Sequence, residues 1–98
     1  MNILFLNCGR RCELISLFRD ALNRRGGGFI YGTDIDINAP AMYKVDEAAV
    51  FPRTESDEFP EVLAEFCRRR DIRLLIPSID PDLTALDRHR EKIKSLIP

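Results

Sequence analysis

The chain alternates between short continuous apolar runs and segments whose apolar residues recur at helical spacing. Ile3 to Leu6 is an unbroken apolar run and predicts a buried strand. The chain then turns sharply over Asn7 to Arg11, around Gly9. Arg11 to Arg24 predicts an amphipathic helix, with Leu14, Ile15, Phe18, Ala21 and Leu22 on one face and Arg19, Asp20 and Asn23 turned away. Arg24 and Arg25 complement the carboxyl end of its dipole, and Gly26 to Gly28 stop it. Phe29 to Thr33 predicts a second strand, with Gly32 where something packs closely. It ends in Asp34-Ile35-Asp36. Asn38-Ala39-Pro40 breaks the chain, and Ala41 to Val45 predicts one short helical turn.

Ala48 to Phe51 predicts a third strand, closed by Pro52. Asp57 is positioned to cap a second helix that carries Pro60 in its first turn. Phe59, Val62, Leu63, Phe66 and Cys67 share its apolar face, and Arg68 to Arg70 close it in the order the dipole favours. Ile72 to Ile76, apolar except for Arg73, fits a central strand buried on both faces. After Pro77-Ser78-Ile79, Asp80 is expected to cap a last helix with Pro81 at its first position. Leu83, Leu86, Ile93 and Ile97 form its thin stripe, within which His89 reads as a structural residue.

Strands and helices in this order mean an α/β fold, a parallel sheet with right-handed crossovers and helices on both faces. The expected strand order is 3-2-1-4, half of a doubly wound, Rossmann-like sheet. Ligands of such sheets bind beyond the carboxyl ends of the strands. Three loops meet there: Asn7 to Arg11, Asp34 to Asn38, and Pro77 to Asp82. A further strand usually covers the open side of a strand such as the fourth. Residues 1–98 therefore read as one domain, the first of a longer chain, and an uncovered edge would favour a homodimer.

Composition narrows the classes. The 98 residues are 45% hydrophobic and 32% charged, which fits a folded domain. A formal net charge of −1 provides no basic field to collect nucleic acid, so the arginine triplet reads as a solvated helix end. No apolar run approaches the ~20 residues that span a bilayer, and no basic region precedes Ile3 as in a secretory signal. The expected location is the cytoplasm. Cys8, Cys12 and Cys67 form no disulfide framework, and Cys8 and Cys12 lack both the usual zinc spacing and companion histidines.

The opening turn, a strand followed by a tight glycine turn and a helix start, is a natural anion site. A dinucleotide fingerprint would need G-x-G-x-x-G there. Only Gly9 is present, with Arg10 and Arg11 where the later glycines would fall, although Asp34 stands where an acidic residue would bind a ribose. A free-standing nucleotide- or dinucleotide-binding module is the alternative reading. Asp34, Asp36, Asp80 and Asp82 could face one cleft; helix capping accounts for Asp80 and the helix dipole for Asp82.

Three segments carry a resemblance. Asn7-Cys8-Gly9-Arg10-Arg11, then Gly32-Thr33-Asp34-Ile35-Asp36 with Ala39 to Asp46, then Leu75 to Leu83 resemble the amino-terminal (pre-ATP-grasp) domain of ATP-grasp ligases. The branch most similar is that of the carbamoyl-phosphate synthase large subunit. The resemblance implies a carboxylate–amine or carboxylate–thiol ligase, in which ATP phosphorylates a carboxylate and a nucleophile displaces the phosphate. It places ATP and magnesium in later domains of the parent enzyme, with which this domain would partner. Nothing in this sequence matches their ATP lysines and metal carboxylates, so the domain by itself is expected to hold no cofactor and to catalyse nothing. It would form a wall of a small-molecule substrate cleft, with Gly9, Arg10 and Arg11 near an anionic group and Asp34, Asp36, Ser78, Asp80 and Asp82 around the acceptor substrate.

Overall fold

Each apolar run becomes a strand, and each helical stripe finds a sheet face to cover. In the computed structural model, residues 1–91 are described, Asp80 by its backbone only; Ile93, Ile97 and the Asp80 side chain lie outside the described residues. The elements are β1 (Asn2–Leu6), α1 (Cys12–Arg24), β2 (Ile30–Asp34), a 3-10 turn (Pro40–Tyr43), β3 (Glu47–Val50), α2 (Phe59–Arg69), β4 (Ile72–Pro77) and α3 (Asp80–Arg88). The four strands form one sheet in the order β3-β2-β1-β4, every pairing parallel. This is the expected half of a doubly wound sheet.

Alternation along β1 explains the two cores. Ile3 and Phe5 face α1 and meet Ile15, Leu22 and Ile30, with the Phe5 and Phe18 rings edge to face at 5.4 Å. Leu4 and Leu6 face the other side and meet Phe59, Leu63, Phe66 and Ala85. Phe51 and Phe66 are likewise edge to face at 5.4 Å, a geometry aromatic quadrupoles favour. Gly32, in the middle of β2, allows a close approach: a Cβ there would stand 2.9 Å from Val45 Cγ1 and 3.1 Å from Cys8 Sγ.

Three local expectations are corrected. Asp57 does not cap α2: the helix starts at Phe59 with Glu58 as its cap residue, and Ser56 Oγ accepts the Glu58 N–H. Asp80 does not cap α3, because Ile79 precedes the helix and Asp80 is its first residue. Asp82, in the third helical position, reaches back instead and accepts the N–H of Ile79 at 3.2 Å. Finally, β4 is not buried on both faces. Among the described residues it pairs only with β1, and Leu74 is 39% exposed. All its residues are half-buried or exposed, Leu74 being the exposed apolar one.

The arginine triplet is engaged in ion pairs, Arg68 and Arg69 with Glu65, and Arg70 with Glu47 while it stacks over Phe66. No described helix is long and apolar enough to cross a membrane.

Candidate functional site

The parallel strands deliver three loops to one edge of the sheet, and side chains join them. Asn7, the first residue after β1, adopts a left-handed conformation (φ 46°), which asparagine tolerates better than most residues. That turn directs its side-chain amide to Asp82 Oδ1, so the loop after β1 is bound to the start of α3. Asp82 is fully buried. Its other oxygen accepts the N–H groups of Ser78 at 3.0 Å and Ile79 at 3.2 Å. Both oxygens are therefore engaged within the protein, and Asp82 positions the loop between β4 and α3.

Gly9 is equally committed. It is also left-handed (φ 48°), and its N–H donates to Asp34 Oδ2 at 2.9 Å. The other Asp34 oxygen accepts the Asp36 N–H at 3.0 Å. The Gly9 carbonyl accepts from the Ala41 N–H at 2.8 Å. The carboxylate at the end of β2 thus occupies the glycine amide that a bound phosphate would otherwise seek. The Cys8 and Arg11 amides are also used, donating to the carbonyls of Thr33 (2.9 Å) and Cys8 (2.8 Å).

What remains outward is largely side chain. Arg10 and Arg11 are exposed at the start of α1, beside a shallow cleft of about 430 Å3 that they line with Cys12, Glu13 and Leu14. Arg11 Nη2 donates to the Ser78 carbonyl at 2.9 Å, the second link between the first and third loops. Asp36 is exposed and accepts the Asn38 N–H at 2.9 Å. Ser78 Oγ is shut from solvent and has no hydrogen-bond partner among the described residues. Around these polar groups stand exposed apolar side chains: Ile35 (50%), Ile37 (49%) and Ile79 (43%).

Of the residues expected at the cleft, the structure gathers Gly9, Arg11, Asp34, Asp36, Ser78 and Asp82 at this edge through their hydrogen bonds, sets Arg10 beside them in the cleft lining, and brings the Asp80 backbone to its edge. Asp34 and Asp82 are internal connectors, leaving the exposed Arg10, Arg11 and Asp36 as the polar groups best placed to meet a ligand, with the Ser78 hydroxyl shut from solvent. Asn7 was missed by the sequence reading. The signal was an asparagine directly after a strand, a residue type suited to left-handed backbone. Cys8 is no nucleophile: burial first, and then the Asp34 charge, pushes its thiol up to about 11, and its Sγ lies 3.6 Å from Met42 Sδ. Among the described residues, no three His, Cys, Asp or Glu side chains converge as metal ligands do.

Residues 3–97 match the family described as PylC-like, N-terminal domain. No curated protein matches the sequence. A solved structure of glycinamide-RNase-transformylase T from Mycobacterium tuberculosis shares the fold, with a TM-score of 0.64 at 20% identity over 95% of this chain. The chain spans 27% of the length of that structure's chain.

Proposed function

The chain belongs to the PylC-like N-terminal domain family, and on that premise we propose that it is the substrate-side amino-terminal domain of an ATP-grasp ligase. The observation that carries this reading is the Asp34–Gly9 hydrogen bond. With the glycine amide already held by a carboxylate, the tight turn does not offer that amide to a phosphate. Its exposed arginines are left to receive the anionic part of a substrate, a charge-assisted contact. The three cleft motifs favour a ligase of the carbamoyl-phosphate synthase large-subunit kind. The exposed isoleucines suit a surface that closes against the following part of the parent chain.

ATP and magnesium do not fit the residues of this chain. The three loops contain no lysine, and the Asp34 and Asp82 carboxylates are engaged with backbone and amide groups. Both would be held elsewhere in the parent enzyme, and this domain orients substrate without carrying a reaction step. Its exposed arginines would fix a carboxylate or similar anion, with Asp36 facing the amine or thiol partner. The alternative, a free-standing dinucleotide module, is disfavoured by the same occupied amide.

The test is kinetic. In the full-length enzyme, with ADP release followed against substrate concentration, the double substitution Arg10→Ala, Arg11→Ala should raise KM about tenfold, roughly one charged hydrogen bond. Unchanged kinetics would reduce the loop to a structural one. A gene that encodes no ATP-grasp region after this domain would sink the ligase assignment for this polypeptide.

A further inference from the structure

The two arginines of the opening turn are not equivalent. Arg11 is the cap residue of α1: its N–H donates to the Cys8 carbonyl at 2.8 Å, and its carbonyl accepts the Ile15 N–H at 3.1 Å. Its side chain therefore starts from a backbone fixed on both sides. The guanidinium is committed as well, since Nη2 donates to the Ser78 carbonyl at 2.9 Å. A cation at a helix N-terminus stands against the dipole, and an acceptor offsets that cost. Arg10 has no such acceptor. Among the described residues its exposed guanidinium has neither a hydrogen-bond nor an ion-pair partner.

The residue that Arg11 reaches is held from a second direction. The Ser78 N–H donates to Asp82 Oδ2 at 3.0 Å, and the Ile79 N–H donates to the same oxygen at 3.2 Å. Asp82 thus grips the amide side of the loop between β4 and α3, and Arg11 the carbonyl side. The loop needs both. Ser78 Oγ is enclosed without a hydrogen-bond partner among the described residues, which costs free energy that turning the hydroxyl toward water would recover. Asp82 belongs to α3 and ties that helix to the opening turn through Asn7. Arg11 is the direct tie on the loop itself, from 67 positions away in the chain.

We infer that Arg11 is a positioning residue, a strut that fixes the Ser78–Ile79 segment of the cleft wall, and that Arg10 alone of the pair contacts the anionic group of the substrate. This assignment deepens the proposed function and rests on it for the existence of a substrate cleft here. It separates two effects that a substrate wall has on a reaction. Loss of a direct contact weakens binding of substrate and transition state alike, and shows in KM. Loss of positioning leaves the substrate bound but misaligned, and shows in kcat.

Kinetics and amide hydrogen exchange on the full-length enzyme test it together. ADP release is followed at saturating ATP while the carboxylate substrate is varied. Arg10→Ala should raise KM about tenfold, the whole effect of the double substitution on KM, and leave exchange at Ser78 and Ile79 as in the wild type. Arg11→Ala should lower kcat about tenfold, with KM within about threefold of the wild type. It should also speed exchange at Ser78 and Ile79 about tenfold relative to the β1 amides. Arg11→Lys, which keeps a donor for the Ser78 carbonyl, should recover most of both losses. A KM rise in Arg11→Ala as large as in Arg10→Ala, or unchanged exchange at Ser78 and Ile79, would overturn the inference and leave the substrate-wall reading in place. Faster exchange in Arg11→Ala, with the kinetics of both alanine variants unchanged, would overturn the substrate-wall reading and leave the strut standing.

Discussion

Asp34 shows how one side chain changes what a loop can do. It accepts the Gly9 and Asp36 amides together, linking the ends of β1 and β2. Asp34→Ala removes both acceptors and should lower stability by about 2 kcal/mol, measured by urea unfolding. The cysteines make a second prediction. Burial pushes the Cys8 and Cys67 thiols up to about 11, whereas Cys12 is only half-buried. In the native protein at neutral pH a disulfide reagent should titrate one thiol quickly, and all three only after unfolding. Asp46 gives a pH dependence. Burial raises its carboxyl, but hydrogen bonds from Arg19 and the Ile30 amide outweigh that and hold it below the ordinary 3.8. A carboxyl lowered by folding stabilises the protein above its unfolded pKa, and the gain is lost as pH falls through the folded value. Asp46→Asn should therefore unfold at lower urea than the wild type near neutral pH, with the difference closing in acid.

At the scale of elements, close packing around β2 leaves no room for growth. A methyl at Gly32 would press on Val45 and Cys8, both held by neighbouring segments. Gly32→Ala should cost about 1–3 kcal/mol, visible as a lower thermal midpoint. The start of α3 depends on Asp82 for two backbone amides and for Asn7. Asp82→Ala should cost about 3 kcal/mol and speed hydrogen exchange at Ser78 and Ile79 more than in β1. The caps of α2 and α3 were the least legible parts of these elements. Glu55, Ser56, Asp57 and Glu58 precede α2, and Ser78, Asp80 and Asp82 surround the start of α3, so a one-residue shift decides which of them reaches an amide.

For the whole molecule, the sheet order brings the arginine loop, the aspartate turn and the loop after β4 to one edge, and among the described residues β4 pairs with β1 alone. The occupied Gly9 amide adds a prediction: titration of the 98-residue chain with NAD(H) should show no saturable binding in the micromolar range. Saturable binding there would favour the dinucleotide module instead.

The sequence alone determined the alternation of strands and helices, the parallel order 3-2-1-4 and the three loops of the cleft. These follow from short-range causes: apolar periodicity, glycine and proline breaks, and the handedness of crossovers. Only the tertiary structure decided which polar groups remain for a ligand. Gly9 and Asp34 are 25 residues apart in the chain, Asn7 and Asp82 are 75 apart, and neither pairing has a local signature. The burial of β4 was decided in the same way. Its apolar run is compatible with one covered face or two, and what packs over a strand is a property of the assembled sheet.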